Sequence, residues 1–312
     1  MPIPIIFTVL SVAVGTYGVK KGHDAYKKKK KAKSIVDKAK YKFDTKKDKT
    51  EEKQSYTNTR LIDLGELKVS IFTNEIKTLV ELMSKCKKSS SLFEDKIYFS
   101  EQELNNLNTA VNTSLEISSG LASGTAAGVL SGMGAYGAVG MLASASTGTA
   151  IGSLSGAAAT NATLAWLGGG SLASGGFGMA GGTMVLGGLV AGPFLAVGGM
   201  FLDSRAEKNL TEAYKLESEA DKAIESMKLI STGLDSIIAR VDEIEDVLYE
   251  TIERFNEVKD NLSQEYCDDK EFKVLMSLGK TLKNLLDVPV LDENGQANSN
   301  MTTKINQVLK IG

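Results

Sequence analysis

A seven-residue hydrophobic repeat runs through the last third of this chain. Met227, Ile230, Leu234, Ile237, Val241, Ile244 and Leu248 follow one another at spacings of three and four, and Ile252, Phe255, Val258 and Leu262 continue the stripe with a small slip. Such a repeat commits a helix to a long helical partner. It predicts a coiled-coil segment over 203–266, with a helix from Asp203 to Glu265. The motif Ser204-Arg205-Ala206-Glu207 at its start matches a capping box. A second stripe, Leu61, Leu64, Leu67, Ile71, Ile76, Leu79 and Met83, recurs at spacings of three to five and predicts an amphipathic helix over Arg60–Lys88. Ser100-Glu101-Gln102-Glu103 is another capping box, in which serine and glutamate satisfy orphan amides at a helix start. The helix it opens runs through Leu104, Leu107 and Val111. These amphipathic helices, within 57–116, are the expected partners of the long helix, so an intramolecular bundle is favoured over a coiled-coil homodimer. The segment 267–312 predicts short helices at Glu271–Leu286 and Met301–Ile311. Pro289 and the turn-forming Asp292-Glu293-Asn294-Gly295 separate them.

Between the two periodic regions the charge disappears. Residues 117–202 hold no charged side chain and contain 23 of the chain's 31 glycines. A bilayer core takes about 20 apolar residues per helical span, so the run is long enough for two to four crossings. Gly120, Gly124, Gly128 and Gly132 fall at intervals of four, and Gly148, Gly152 and Gly156 repeat the spacing. On helices these become small-residue faces, which let two backbones approach closely within lipid. Trp166, just before Gly168-Gly169-Gly170, suits a bilayer interface. Gly, Ala, Ser and Thr outnumber the strongly apolar residues, so insertion is marginal. That suits a hairpin sheltered in a soluble bundle that later moves into lipid. A glycine-zippered hairpin that stays in the core is the alternative.

The first 19 residues also lack charge, and Ile5–Val19 is apolar enough for a short span. Positive charge follows the stretch rather than preceding it: Lys20, Lys21, then Lys27, Lys28, Lys29, Lys30 and Lys31. This order argues against a cleaved leader and for an uncleaved anchor at 1–19, with the lysines on the cytoplasmic side. The juxtamembrane segment 20–56 is lysine-rich, and those seven lysines are candidates for contact with anionic lipid head groups. A purely solvated helix face is the alternative.

Composition narrows the chemistry. The net charge is −2, and one histidine and two cysteines leave little for a His-based metal site or a nucleophile–histidine pair. Cys86 and Cys267 are far apart, imply no disulfide framework and fit a reducing compartment. Two GxGxxG matches, at 132–137 and 176–181, lack the strand and the acidic residue that dinucleotide binding needs. Gly279-Lys280-Thr281 ends like a P-loop but follows Val274 where the first glycine belongs. No catalytic residue, cofactor, metal or nucleic-acid partner is expected.

The arrangement over about 60–265 resembles α-helical pore-forming toxins of the cytolysin A kind, which hide an apolar hairpin in a helical bundle. It also resembles apolipoprotein L, in which glycine-rich apolar helices lie between amphipathic ones. Two segments, Ala159–Leu172 and Leu282-Lys283-Asn284-Leu285-Leu286-Asp287-Val288-Pro289-Val290-Leu291-Asp292, look like phrases of bacterial glycine-zipper proteins. These likenesses fit an all-α fold, an elongated bundle or coiled coil enclosing a glycine-rich apolar hairpin; the N-terminal anchor departs from a secreted toxin and points to a protein acting on its own cell's membrane. The implied activity is non-enzymatic permeabilisation of a bilayer, as in a toxin or phage-defence effector. The expected partners are an anionic lipid bilayer, further copies of the chain once inserted, and a regulatory protein. The expected location is the cytoplasmic face of a bacterial inner membrane. A constitutive membrane-anchored coiled-coil scaffold is the alternative.

Overall fold

The computed structural model describes residues 17–86, 99–121, 127–137, 197, 201, 209–263, 270–292 and 295–311. The elements are α1 (Tyr17–Ile71), a π-helical turn (Phe72–Ile76), α2 (Lys77–Cys86), α3 (Glu101–Leu121), α4 (Ala127–Tyr136), α5 (Leu210–Asp260), α6 (Lys270–Leu286) and α7 (Met301–Ile311). Among the described residues there is no strand beyond an isolated antiparallel bridge between Leu291 and Ala297, so the fold there is all-α.

The chain forms two compact units, 1–49 with 192–227 and 50–191 with 228–312, and α1 and α5 contribute to both. In the first unit Ala32, Val36, Ala39 and Phe43 of α1 form a core with Ala213, Leu216, Ala220, Ala223 and Met227 of α5. Both sets keep the three-and-four spacing of a coiled-coil seam. Phe201 joins them, its ring centroid 5.4 Å from that of Phe43. The lysine-rich segment is thus amphipathic rather than solvated all round, and no helix boundary falls between residues 56 and 60.

In the second unit the α5 seam is Ile237, Val241, Ile244, Leu248, Thr251 and Phe255. The expected slip at Ile252 does not occur. Thr251 is buried in register, its hydroxyl donating to the Val247 carbonyl at 2.7 Å, which satisfies the one polar group the seam takes in there. The α1 partner runs parallel to it: Lys53 pairs with Asp235, Arg60 with Asp242 and Glu245, all at 2.7 Å, and Asn256 reaches Glu75 of the π turn. Those contacts advance in the same direction along both helices. The five-residue step from Ile71 to Ile76 is the π turn itself. One extra residue per turn there keeps Phe72, Ile76, Leu79 and Met83 in the core.

Other expectations are met or corrected locally. The capping box opening α3 is formed: the Ser100 amide and hydroxyl donate to Glu103 Oε2 at 2.7 and 2.8 Å, and the Glu103 amide donates to Ser100 Oγ at 3.2 Å. Those bonds from Ser100 hold the Glu103 carboxyl below its ordinary pKa. Ser204 lies outside the described residues. The described α5 begins at Leu210, and Asn209 caps it by accepting the Thr211 amide at 3.0 Å. α6 and α7 fall within a residue of their expected bounds. Gly279-Lys280-Thr281 lies within α6, where Gly279 backs onto the Leu79 side chain, so it is a helix contact and not a phosphate loop.

The reading of the cysteines is corrected: Cys86 is disulfide-bonded. The chain's other cysteine, Cys267, lies outside the described residues. The expected anchor at 1–19 falls outside the described residues except for its last three, which open α1. No helix among the described residues is long and apolar enough to cross a membrane.

Candidate functional site

α4 is the one stretch of the uncharged run whose packing is described in full turns, and it is enclosed. Val129 through Ala135 are all buried, and Tyr136 is half-buried. An uncharged, glycine-rich helix has no solvent face to offer, so it is stable in water only when covered. Burying a side chain such as Val129, Leu130 or Met133 contributes about 1.5–3 kcal/mol relative to exposure.

Two glycines set how closely α4 approaches α1. A Cβ placed on Gly65 of α1 would overlap the Leu130 carbonyl of α4, and one placed on Gly134 of α4 would overlap the Leu61 carbonyl of α1. Each helix thus lays a glycine on the other's backbone, the small-residue contact expected of this run. Gly134 is not among the glycines that the spacing of four marks for packing; Gly132, which is, is buried in the same helix, and the partner of Gly134 is an amphipathic helix. Beside it the Ser131 hydroxyl donates to Asn58 Oδ1 at 3.1 Å.

The C-terminal end of α4 is capped at the Met133 and Ala135 carbonyls. A helix leaves its last carbonyls without internal partners. Gly137, in the left-handed region at φ +82°, returns its amide to the Met133 carbonyl at 2.9 Å, a single-bond glycine cap. The Lys68 ammonium donates to the same carbonyl at 3.1 Å. The Ala135 carbonyl accepts the amides of Val290 and Leu291 at 2.9 and 3.0 Å. Gly137 sits on the end of α6, where a Cβ would lie 2.8 Å from the Leu286 carbonyl.

The strap that supplies Val290 and Leu291 is built from its own sequence. Pro289 ends α6, as proline biases the preceding residues away from helix. Asn298 Nδ2 donates to the Pro289 carbonyl at 2.9 Å and its amide to Val290 at 2.8 Å. The Gln296 amide donates to Asp292 Oδ1 at 2.9 Å, and Gly295 takes a positive φ of 73°. Asn298 then caps α7 by accepting the Asn300 amide at 3.0 Å. The phrase Leu282–Asp292 therefore comprises the end of α6 and the strap that clasps α4.

Lys68 is the residue that pattern reading passed over. It lies four residues after Leu64 and three before Ile71, in the buried stripe of α1, and its side chain is fully buried. Burial lowers its pKa from 10.5 to about 7, against the through-space pull of Asp287. The Asp287 carboxylate is itself paired with Lys283 at 3.0 Å. Burial likewise pushes the Tyr136 hydroxyl up to about 12, with Asp292 adding to the shift. A lysine in a leucine stripe was the available signal.

The remaining expected site residues are dispersed. Gly120 lies in the last turn of α3 and Gly128 in the first of α4. Gly124, Gly148, Gly152, Gly156 and Trp166 lie outside the described residues. Lys20 and Lys21 are in the first turns of α1. Lys27, Lys28, Lys29, Lys30 and Lys31 are exposed along it. Lys31 Nζ sits 5.8 Å above the Tyr214 ring, a cation–π approach. Among the described residues no group of three or more His, Cys, Asp or Glu is placed to hold a metal ion.

No protein-family model matches this chain, and comparison with curated proteins and with solved structures likewise returns no match.

Proposed function

We propose that this chain is a membrane-active helical protein that holds the start of its uncharged run in a clasp and, once released, inserts glycine-faced helices that associate and permeabilise a bilayer. The single observation carrying this reading is α4: uncharged, buried from Val129 to Ala135, and tied at its end by Lys68, Gly137 and the strap residues Val290 and Leu291. A segment of membrane-grade composition is kept from water by contacts that a conformational change can undo. The clasp also contains its own weak point. At neutral pH a lysine with a pKa near 7 is about half protonated, so a charge is being held in an apolar site at a cost. The exposed Lys27–Lys31 face supports docking on anionic head groups before release. The reaction class is non-enzymatic, and arrest or killing of a bacterial cell, as in phage defence, is the use such an effector would serve.

The test is dye release from anionic liposomes. A cysteine pair at Asn58 and Ser131, whose side chains already bond, ties α4 to α1 when oxidised. The wild type should release dye in both redox states. The oxidised Asn58→Cys/Ser131→Cys variant should be silent and regain release on reduction. Equal release from the locked and reduced variant would show that α4 does not need to leave. Binding to vesicles with no release in any state would move the reading to a membrane-bound scaffold whose hairpin is permanent core.

A further inference from the structure

A cleft of about 570 Å³ opens in the second unit between α1, α5 and the strap. Its walls are mainly apolar, among them Leu61, Ile230, Leu234, Ile237 and Leu291. Its size is typical of small-molecule sites, which run to roughly 300–1,000 Å³ and are lined mostly by apolar side chains. A helix about 10 Å across would fill that volume within about one and a half turns, so the cleft does not suit a docked helix.

Gly233 marks the wall on α5. It sits in the interior of a 51-residue helix, where glycine costs about 1 kcal/mol relative to alanine. Every other helical glycine with a described close contact here answers to a neighbour: Gly65 and Gly134 to each other's helices, Gly279 to Leu79. A Cβ on Gly233 would meet nothing within 4 Å. Gly233 is exposed on α5, no described neighbour crowds it, and it lines the cleft, so the space its missing side chain leaves opens into the cleft.

Charge decides the kind of occupant. Among the described residues that line the cleft, the ionisable side chain is Arg240, which is already paired with Glu243 and bonded to Thr302 Oγ1 at 2.8 Å. The polar groups at the rim are the amides of Gln54 and Asn58 and the hydroxyls of Ser236 and Ser299. A net-neutral wall favours a net-neutral guest, since a charge buried without a partner is expensive.

We propose that this cleft is a binding site for an uncharged, mainly apolar small molecule that lies against the α5 backbone at Gly233. The site shares residues with the clasp. Leu61 carries the carbonyl under Gly134, Leu291 donates to the Ala135 carbonyl, and Asn58 holds Ser131. An occupant therefore bears on three of the contacts that retain α4. That consequence rests on the membrane reading above, whereas the binding itself does not.

The experiment is a fluorescence titration of the full chain with Nile red in the absence of vesicles, followed by competition with 1-decanol and with decanoate. Gly233→Trp fills the cleft from a position with open space. It should weaken Nile red binding at least tenfold while leaving the circular dichroism and unfolding midpoint close to wild type. Decanol should compete at lower concentration than decanoate. If Gly233→Trp fails to fold, Ile230→Arg, which places a charge on the same wall, decides in its place with the same expected loss. Unchanged Nile red affinity in a folded variant overturns the site, and preference for decanoate overturns its neutral chemistry. A chain that binds through Gly233 but releases no dye from liposomes would sustain the site and count against the membrane reading alone.

Discussion

Gly134 in the last turn of α4 and Gly233 in the interior of α5 are both helical glycines, but their surroundings are opposite. Gly134 is covered so closely that a single methyl group would overlap the Leu61 carbonyl, while Gly233 faces empty space. The first is explained by packing within the chain. The second has no such explanation, and an external occupant supplies one. The contrast separates a part of the molecule built to hold its own α4 from a part built to receive something else.

The sharpest way to break this comparison is at the close contact. Gly134→Ala should cost about 3 kcal/mol or more, because relief requires α1 and α4 to move apart rather than a side chain to turn. Gly65→Ala addresses the same contact from the other helix, so the two losses should fall short of additivity when combined. Urea denaturation reads both. A loss under about 1 kcal/mol for Gly134→Ala would mean that α4 does not lie on the Leu61 backbone, and the clasp would lose its foundation.

How much of this was legible in the sequence depends on which pattern carried each feature. The seam of α5, the capping box at Ser100, and the short helices α6 and α7 follow from local periodicity and turn chemistry, which report on a helix without its neighbours. The register through Thr251 was misread because threonine scores as polar, although its hydroxyl bonds back to Val247 and frees the position for the core. The continuity of α1 was missed because a lysine-rich stretch hides small seam residues such as Ala32 and Ala39. The uncharged run announced close glycine packing. It did not single out Gly134, because its close approach depends on Gly65 of α1, far away in sequence. The bond from Lys68 to Met133 and the docking of the strap on Ala135 are products of tertiary contact, signalled in sequence only by a lysine in a leucine stripe and by the turn chemistry after Pro289.

The second prediction sharpens the comparison at the clasp. Lysine has a pKa of 10.5 when free and about 7 here. Between those values the unfolded chain binds a proton that the folded one does not. Stability therefore rises with pH through that window, by at most about 1.4 kcal/mol per unit, and levels off below about pH 7. Lys68→Met keeps the volume and removes the charge. It should flatten that slope and raise stability at pH 7 by about 1–4 kcal/mol, since apolar replacements of buried charges are commonly stabilising. The Met133 carbonyl retains the Gly137 amide, so no acceptor is orphaned. If α4 must leave the clasp to act, the same variant should slow dye release while becoming more stable, the trade expected where function uses a destabilised site. An unchanged pH slope would show that Lys68 reaches water.

The smallest expected effect lies at Gly233. Gly233→Ala should stabilise the chain by about 1 kcal/mol, from helix propensity and a less flexible unfolded state, because the added methyl enters open space. Its sign is opposite to that at Gly134, and urea midpoints measured side by side test the pair directly. A gain would show that the glycine is retained at a cost to folding, as a site that receives an occupant there requires. A loss would mean that a contact closes over Gly233 in solution, and the two glycines would then be the same kind of residue.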